Sequence, residues 1–407
     1  MNLKNNKKNI LIVKRKKCFG CYACKNACLK NCISMQEDEE GFRYPKVDYE
    51  KCVYCGNCIS SCPSVNYTVN KNEATGVVPK AYSTYALDEE ICMQSSSGGI
   101  FSLLAGYVLS QHGVVFGAIW EGSDYVKHVK ASTAQELSPL RKSKYLQSDI
   151  GFTFREAKKE LEQGKHVLFV GTPCQIAGLR LFLKNNYDNL FLADLICMGV
   201  QSSAIFRRFL KEKEVEHGSR PLFFYRDKSQ GWSPVVFSID FENGEKIQFE
   251  FDTNIYNHGF KARLIIRPSC DFCFFAKPPR FGDITLGDDW DYRDKYKNKN
   301  EKNEQHSLKR GVSYIAINTE KGQYILKKIE SQCAPLEGAR LGVGWQHQKN
   351  YARKAFWKYV NNHTVLESIE KYYSNKPLHL VILQKIMLAA RFIHERQIKY
   401  KKGGNRT

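Results

Sequence analysis

Cys18, Cys21, Cys24 and Cys28 follow the spacing C-x2-C-x2-C-x3-C, and Cys52, Cys55, Cys58 and Cys62 repeat it, with Pro63 after the last. Three thiolates on one tight loop can grip three irons of a cubane, but that loop cannot also reach the fourth. In two-cluster ferredoxins the fourth Cys of each run therefore crosses to the other cluster. The expected ligand sets are Cys18, Cys21, Cys24 and Cys62 for one [4Fe-4S] cluster, and Cys52, Cys55, Cys58 and Cys28 for a second. Zinc would call for C-x2-C pairs separated by longer gaps. Leu29 departs from the pattern, because Pro usually follows the fourth Cys. Cys32 reads as a buried thiol beside a cluster rather than a ligand.

Of the 15 Cys, nine fall between Cys18 and Cys62 and six remain. Cys270 and Cys273 form a single C-x2-C, a weak signal alone. Cys174 opens a helix just past one expected strand and Cys197 ends the next, and adjacent parallel strands bring their carboxyl ends together. Two readings stay open for these four thiols: they converge on one site, or Cys174 and Cys197 are ordinary small core residues. Cys92 and Cys333 have no partner by spacing and read as buried thiols.

These residues need elements to position them. Residues 18 to about 70 are Cys-rich with little periodicity, and from Pro79 the pattern changes to alternating elements. Ala81–Ala86 reads as a strand and Ser95–Gly99 as a turn into the helix Ile100–Leu109. Val114–Trp120 and Val126–Ala131 read as strands, and Phe152–Gln163 as an amphipathic helix. The run His166–Val170, the turn Gly171-Thr172-Pro173, the helix Cys174–Lys184 and the strand Leu190–Ile196 make a βαβ unit. Val235–Phe241 and Lys246–Phe251 alternate around Asn243-Gly244, a hairpin signal. The polar stretch 294–309 reads as a surface insertion, and helices near Tyr351–Tyr359 and Thr364–Tyr373 precede Pro377 and a basic terminal helix. The expected fold is a two-cluster ferredoxin-type domain at 1–78, then a mixed α/β domain in two parts, 79–165 and 166–345, then a helical basic tail at 346–407.

Composition narrows the class. At 43% hydrophobic and 26% charged the chain is neither disordered nor a small disulfide scaffold. The apolar run Ile10–Val13 is too short for a secretory h-region, so the dense Cys point to metal or redox chemistry in a cytosolic, thiol-keeping compartment. The longest near-apolar stretch, Leu378–Ile393, is interrupted by Lys385 and Arg391. The net charge is +20, and the first 17 residues hold seven Lys and Arg with no acid, while residues 381–407 hold seven against Glu395 alone. The positive charge thus belongs mainly to two terminal arms. They read as solvated tails or as docking segments for an acidic protein or an anionic membrane surface. No aromatic-and-basic motif of a nucleic-acid-binding fold accompanies them.

Seven motifs then occur in order: EGFRYPKVDYEKC between the Cys runs, SSSGGIFSLLA at 95–105, SKYLQS at 143–148, GTPCQIAGL at 171–179, DLICMGVQS at 194–202, RPSCDFC at 267–273 and GDITLGDDW at 282–290. From residue 18 to about 345 the chain resembles the beta subunit of coenzyme F-420 hydrogenases and dehydrogenases, in the version with an N-terminal ferredoxin domain. The resemblance implies a flavin-dependent oxidoreductase whose FAD exchanges electrons with iron-sulfur clusters and with a carrier such as a ferredoxin, a deazaflavin or a nicotinamide. It places Ser95, Ser96, Ser97, Gly98 and Gly99 at the flavin pyrophosphate. Glycines at a helix N-terminus suit an anion on physical grounds too, although the same residues also make an ordinary cap. It adds Lys144, Gly171, Thr172 and Gln175 to the cofactor site, and makes Cys174, Cys197, Cys270 and Cys273 the ligands of a third [4Fe-4S] cluster. Met198, Gln201, Asp289 and Asp291 depart from the family pattern near the expected substrate side, against deazaflavin use. No motif identifies a catalytic acid or base. A second reading is an electron-relay or adaptor subunit that serves a partner enzyme and has no substrate of its own.

Overall fold

The computed structural model describes residues 9–66, 79–296, 309–342 and 350–373. Residues 1–8, most of the polar insertion and the basic segment after Pro377 lie outside the described residues. Two compact units emerge, one from residues 1–252 with 266–349 and the other from 253–265 with 350–407.

In the first unit the Cys-rich segment forms two short helices, Ala23–Ala27 and Asn57–Ser60, and the antiparallel hairpin β1 (Ile33–Glu37) and β2 (Arg43–Val47). Ile33 and Val47 turn inward from this hairpin and pack among Cys24, Cys28, Cys58 and Cys62. The apolar wall is what such thiols need, because it keeps water from them.

The strands that follow are β3 (Lys80–Thr84), β4 (Val114–Glu121), β5 (Tyr125–Ala131), β6 (Val167–Gly171), β7 (Leu190–Leu195), β8 (Pro221–Asp227), β9 (Val236–Phe241), β10 (Lys246–Glu250), β11 (Ile284–Asp288), β12 (Ser313–Ile317) and β13 (Glu337–Ala339). Eight of them form one sheet in the order β13-β3-β12-β11-β7-β6-β4-β5. Its centre is parallel, β4 to β6, β6 to β7 and β7 to β11, so four carboxyl ends lie along one edge. β8, β9 and β10 make a separate antiparallel sheet, and the Asn243-Gly244 hairpin is present with Gly244 at φ +88°.

The central strands are apolar on both faces. Leu168, Val170, Phe191 and Ala193 face helices Ile100–Ser110 and Glu320–Ile329. Val167, Phe169, Leu190 and Leu192 face helices Thr153–Glu162 and Pro173–Leu183, and the same core takes in Phe19, Tyr22 and Ala23 of the Cys-rich segment. Continuous apolar runs with helices on both sides are the mark of a buried parallel sheet.

The Cys-rich segment is thus set into the α/β layer. Arg155 reaches from helix Thr153–Glu162 to the carbonyls of Asn26 at 2.7 Å and Cys28 at 2.6 Å and to Asn31 Oδ1 at 2.7 Å. Ser202 and Ser203 donate to the carbonyls of Glu40 and Gly41. Two glycines allow the approach, one from each side. A Cβ on Gly41 would fall 2.2 Å from the Ala204 nitrogen, and one on Gly178 would fall 3.1 Å from Cys21 Sγ.

In the second unit, helix Ile255–Lys261 packs with Val365–Tyr373, where His258 stacks on Tyr373 at 4.2 Å. Helix Arg353–Val360 carries Trp357, whose indole N-H donates to the Leu264 carbonyl at 3.1 Å. No helix among the described residues is long and apolar enough to cross a membrane.

Candidate functional site

The eight N-terminal ligand candidates line two cavities. Cys18, Cys21, Cys24 and Cys62 line one of about 350 Å³, counting its open mouth, and Cys28, Cys52, Cys55 and Cys58 line one of about 370 Å³. Each cavity therefore collects three thiols of one run and the fourth of the other. Both loops repeat one backbone device: Gly20 and Tyr54, then Tyr22 and Gly56, all have positive φ, between +54° and +78°. Alternating handedness of this kind turns successive N-H groups toward an anion. Backbone N-H groups already point at the sulfurs, from Ala23 to Cys21, from Ile10 to Cys58, and from Val65 and Ser64 to Cys62. Burial pushes the Cys21 and Cys24 thiols well up, with neighbouring thiols adding to it. Such thiols become thiolates only when a cation compensates them, as metal binding does. The four sulfurs of each set ring a cavity without meeting at a point: among the described residues no three His, Cys, Asp or Glu could hold a single ion. The donor set, cavities and inward amides fit a cubane. Cys32 stands beside the second site with its sulfur 3.2 Å from that of Cys28.

The two sites differ in exposure. Cys55 is exposed, whereas Cys21 and Cys24 are buried. Cys21 lies against helix Pro173–Leu183 and is close enough to Cys174 for that thiol to raise it electrostatically.

Cys174, Cys197, Cys270 and Cys273 do converge. Burial lifts Cys174 to about 11, with Thr172 Oγ1 at 3.3 Å pulling it down and Cys197 pushing it up. Burial and Cys197 lift Cys270 to about 12. Burial, then Cys270, Cys174 and Cys197, raise Cys273 further. The Gly199 N-H donates to Cys197 Sγ at 3.4 Å. The topology explains this: Cys174 follows β6, Cys197 follows β7, and the turn holding Cys270 and Cys273 leads back toward β11 at the same sheet.

Ser95–Gly99 also lies at this edge, and one strap, Ser143–Ser148, links it to the β6 turn. The Ser143 N-H donates to Ser96 Oγ at 2.7 Å, while at the other end Gln175 Nε2 donates to Ser148 Oγ at 3.0 Å. Thr172 and Gln175 form a reciprocal cap on their helix. Several groups of the serine-glycine turn are committed within the protein: Ser95 Oγ donates to the Ile91 carbonyl, Ser97 Oγ to that of Val312, and the Gly98 N-H to Ser313 Oγ. What remains for an anion is the first turn of helix Ile100–Ser110, whose leading N-H groups lack intrahelical partners, and Lys144. Its ammonium donates to the Pro139 and Arg141 carbonyls at 2.8 and 2.6 Å, leaving its third N-H unused, and burial pulls it down to about 7. A half-buried ammonium without a carboxylate fits an anionic cofactor.

Sequence reasoning missed the residues that brace this edge. Arg226 pairs with Asp288 through two bonds of 2.7 and 2.8 Å and also donates to the Ser96 carbonyl. Trp232 adds its indole N-H to Asp288 at 2.8 Å. Lys228 donates to the carbonyls of Cys92, Ser97 and Arg310 and so holds the turn from behind. An Arg inside the apolar run PLFFYRD was the available signal. Cys92 and Cys333 are buried in the main core, as expected.

His128, on β5, stacks on Phe169 and donates Nε2-H to the Val170 carbonyl at 2.9 Å beside Gly171. Burial pulls it down to about 4, with Lys144 acting in the same direction and the Val170 bond and Asp149 opposing. The unfolded chain takes up this proton below its ordinary value of about 6.5 and the folded one only near 4. Stability is therefore expected to fall as pH drops through that window, by about 3 kcal/mol at 1.36 kcal/mol per unit. Thermal midpoints of the wild type and H128Q between pH 7 and 4 check this: an equal acid slope in both would count against it.

Two family models match the chain, the C terminus of the coenzyme F420 hydrogenase/dehydrogenase beta subunit over residues 164–337 and a 4Fe-4S dicluster domain over 17–66. The chain thus joins a C-terminal domain of the coenzyme F420 hydrogenase/dehydrogenase beta subunit family to a 4Fe-4S dicluster domain. It is an iron-sulfur electron-transfer protein of oxidoreductase type related to that beta subunit, with a ferredoxin domain of the 4Fe-4S kind. Curated relatives match the ferredoxin segment. NADH-quinone oxidoreductase subunit I 2 of Geobacter metallireducens is 36% identical over 52 residues, 12% of this chain and 40% of that protein. A ferredoxin of Methanocaldococcus jannaschii is 39% identical over 54 residues, 13% of this chain and 69% of that one. Ketoisovalerate oxidoreductase subunit VorC of Methanothermobacter marburgensis is 34% identical over 62 residues, 15% of this chain and 78% of that one. Among solved structures, a chain of the F420-reducing [NiFe] hydrogenase complex from Methanosarcina barkeri aligns with TM-score 0.44 at 17% identity, over 74% of this chain and 91% of that one.

Proposed function

We propose that this chain is an iron-sulfur flavoprotein oxidoreductase that moves electrons between its ferredoxin domain and FAD at the carboxyl edge of the large sheet. Cys18, Cys21, Cys24 and Cys62 would hold one [4Fe-4S] cluster, Cys28, Cys52, Cys55 and Cys58 a second, and Cys174, Cys197, Cys270 and Cys273 a third. FAD, when bound, supplies the conversion between one-electron and two-electron chemistry. Lys144 and the first turn of helix Ile100–Ser110 would meet its pyrophosphate, while the strap Ser143–Ser148 and Gln175 orient the pocket. Arg226, Asp288 and Lys228 keep the serine-glycine turn fixed from the opposite side.

The observation that carries this reading is the position of Cys21, buried against helix Pro173–Leu183 and electrostatically in reach of the Cys174 thiol. It makes the ferredoxin domain continuous with the sheet edge, so electrons entering at the exposed Cys55 side have a route inward. The external carrier would be a ferredoxin, a deazaflavin or a nicotinamide.

Anaerobic purification with iron, sulfide and flavin analysis tests this. About twelve irons and one FAD per chain are expected for three four-iron clusters; about eight irons would remove the third cluster. A chain that holds its irons, lacks flavin and reduces a partner enzyme would favour the relay reading. Two of the relatives are named as subunits of larger oxidoreductases, which is the observation on that side.

A further inference from the structure

Arg267 opens the motif that ends in Cys270 and Cys273, and its side chain is fully buried, with 0% exposure. Nε donates to the Cys18 carbonyl at 2.9 Å, Nη1 to Gln147 Oε1 at 2.9 Å and Nη2 to the Arg43 carbonyl at 2.9 Å. Nη2 also faces Cys18 Sγ at 3.9 Å. The guanidinium lies over Tyr44, 4.4 Å from the ring centre. Every oxygen that accepts from it is neutral, and among the described residues no carboxylate pairs with it. A buried cation in that position is costly unless an anion compensates it. Besides the Tyr44 phenol, the groups within its electrostatic reach are sulfurs of two different sites, Cys18 on one side and Cys270 and Cys174 on the other, which turn anionic when a cluster binds them.

We propose that Arg267 is the counter-charge shared by the cluster held at Cys18, Cys21, Cys24 and Cys62 and the cluster held at Cys174, Cys197, Cys270 and Cys273, raising the reduction potential of both. The proposal rests on the ligand sets of the preceding reading. Adding an electron to either site adds a negative charge, and a fixed positive charge in a low-dielectric wall favours that addition. Net charge and hydrogen bonds to sulfur are the levers by which proteins set cluster potentials. Arg267 acts through the sulfurs and is a positioning residue: its fork also ties the first Cys loop to the strap through Gln147.

The test is a potentiometric titration, followed by electron paramagnetic resonance, of full-length holoprotein purified without air. R267Q with its iron retained is expected to lower the reduction equilibrium constants of these two clusters by about tenfold, equivalent to about 59 mV for one electron. The cluster at Cys28, Cys52, Cys55 and Cys58 is the internal control and should stay within about twofold. R267K keeps the charge without the fork and should hold all three within about twofold. Unchanged potentials in iron-replete R267Q overturn the proposal, as does an iron-replete R267K that falls as far as R267Q. Loss of iron from both variants also overturns it and makes Arg267 a structural residue. Wild-type protein lacking the expected iron overturns the ligand sets themselves, a different failure visible before any variant is made.

Discussion

Replacing Cys62 by Ala is expected to cost the protein the cluster of Cys18, Cys21 and Cys24 while sparing that of Cys52, Cys55 and Cys58, the run to which Cys62 belongs in sequence. Iron should fall by about four per chain, and electron delivery from an external donor to the proposed flavin by about 100-fold or more, since loss of a ligand exceeds the 10–100-fold typical of changes to groups that hydrogen-bond a ligand. The cavity of Cys62 is the reason: it opens onto Cys18, Cys21 and Cys24. Double variants make the test sharp. C24A with C62A should lose no more iron than either alone, whereas C58A with C62A should lose about eight, two clusters' worth. The reverse pattern would mean that each run closes its own cluster.

Asp194 to Ala is expected to be the most damaging change to stability, at about 3–5 kcal/mol, the usual cost of stranding one partner of a buried ion pair. Asp194 is wholly buried at the end of β7 and Arg280 nearly so. Its carboxylate accepts from Arg280 at 3.0 Å, from the N-H groups of Phe281 and Gly282, and from Thr285 at 2.7 Å. Arg280 in turn donates to the carbonyls of Phe275 and Leu195. The network therefore fastens the turn after Cys273 to the strand before Cys197. D194N, which keeps part of the acceptor set, should lose less. Denaturant midpoints of the iron-loaded proteins measure this, and a D194A value within about 1 kcal/mol of the wild type would defeat the argument.

Most of this was legible in sequence wherever one local rule dominated. The two Cys runs carry their own geometry, β4, β6 and β7 announce themselves by near-continuous apolar stretches between turn residues, and β5 by alternation. The unread parts have physical causes. β8 alternates in burial but not in hydropathy, because Phe223 and Tyr225 feed an aromatic cluster while the exposed positions between them and before them are the apolar Phe224 and Leu222. β13 is three residues long and β11 contains Gly287, too little for a pattern. Arg226, Lys228 and Arg267 are long charged side chains whose sequence neighbours say nothing of their burial. Their partners are carbonyls, a carboxylate and thiols brought in by topology. The serine-glycine turn was found for its shape, and the structure adds that its hydroxyls mostly serve the turn itself.

The paired glycines at the ferredoxin boundary bear on how such a chain can change over generations. Gly41 on one side and Gly178 on the other each leave room for the other domain's atoms. A ferredoxin that evolved as a free protein would bring neither the recess at Gly41 nor a Cys21 shaped to Gly178. Grafting one in at this place would meet steric conflict on both surfaces at once. What either segment can carry at this boundary is therefore limited by the atoms of the segment that faces it.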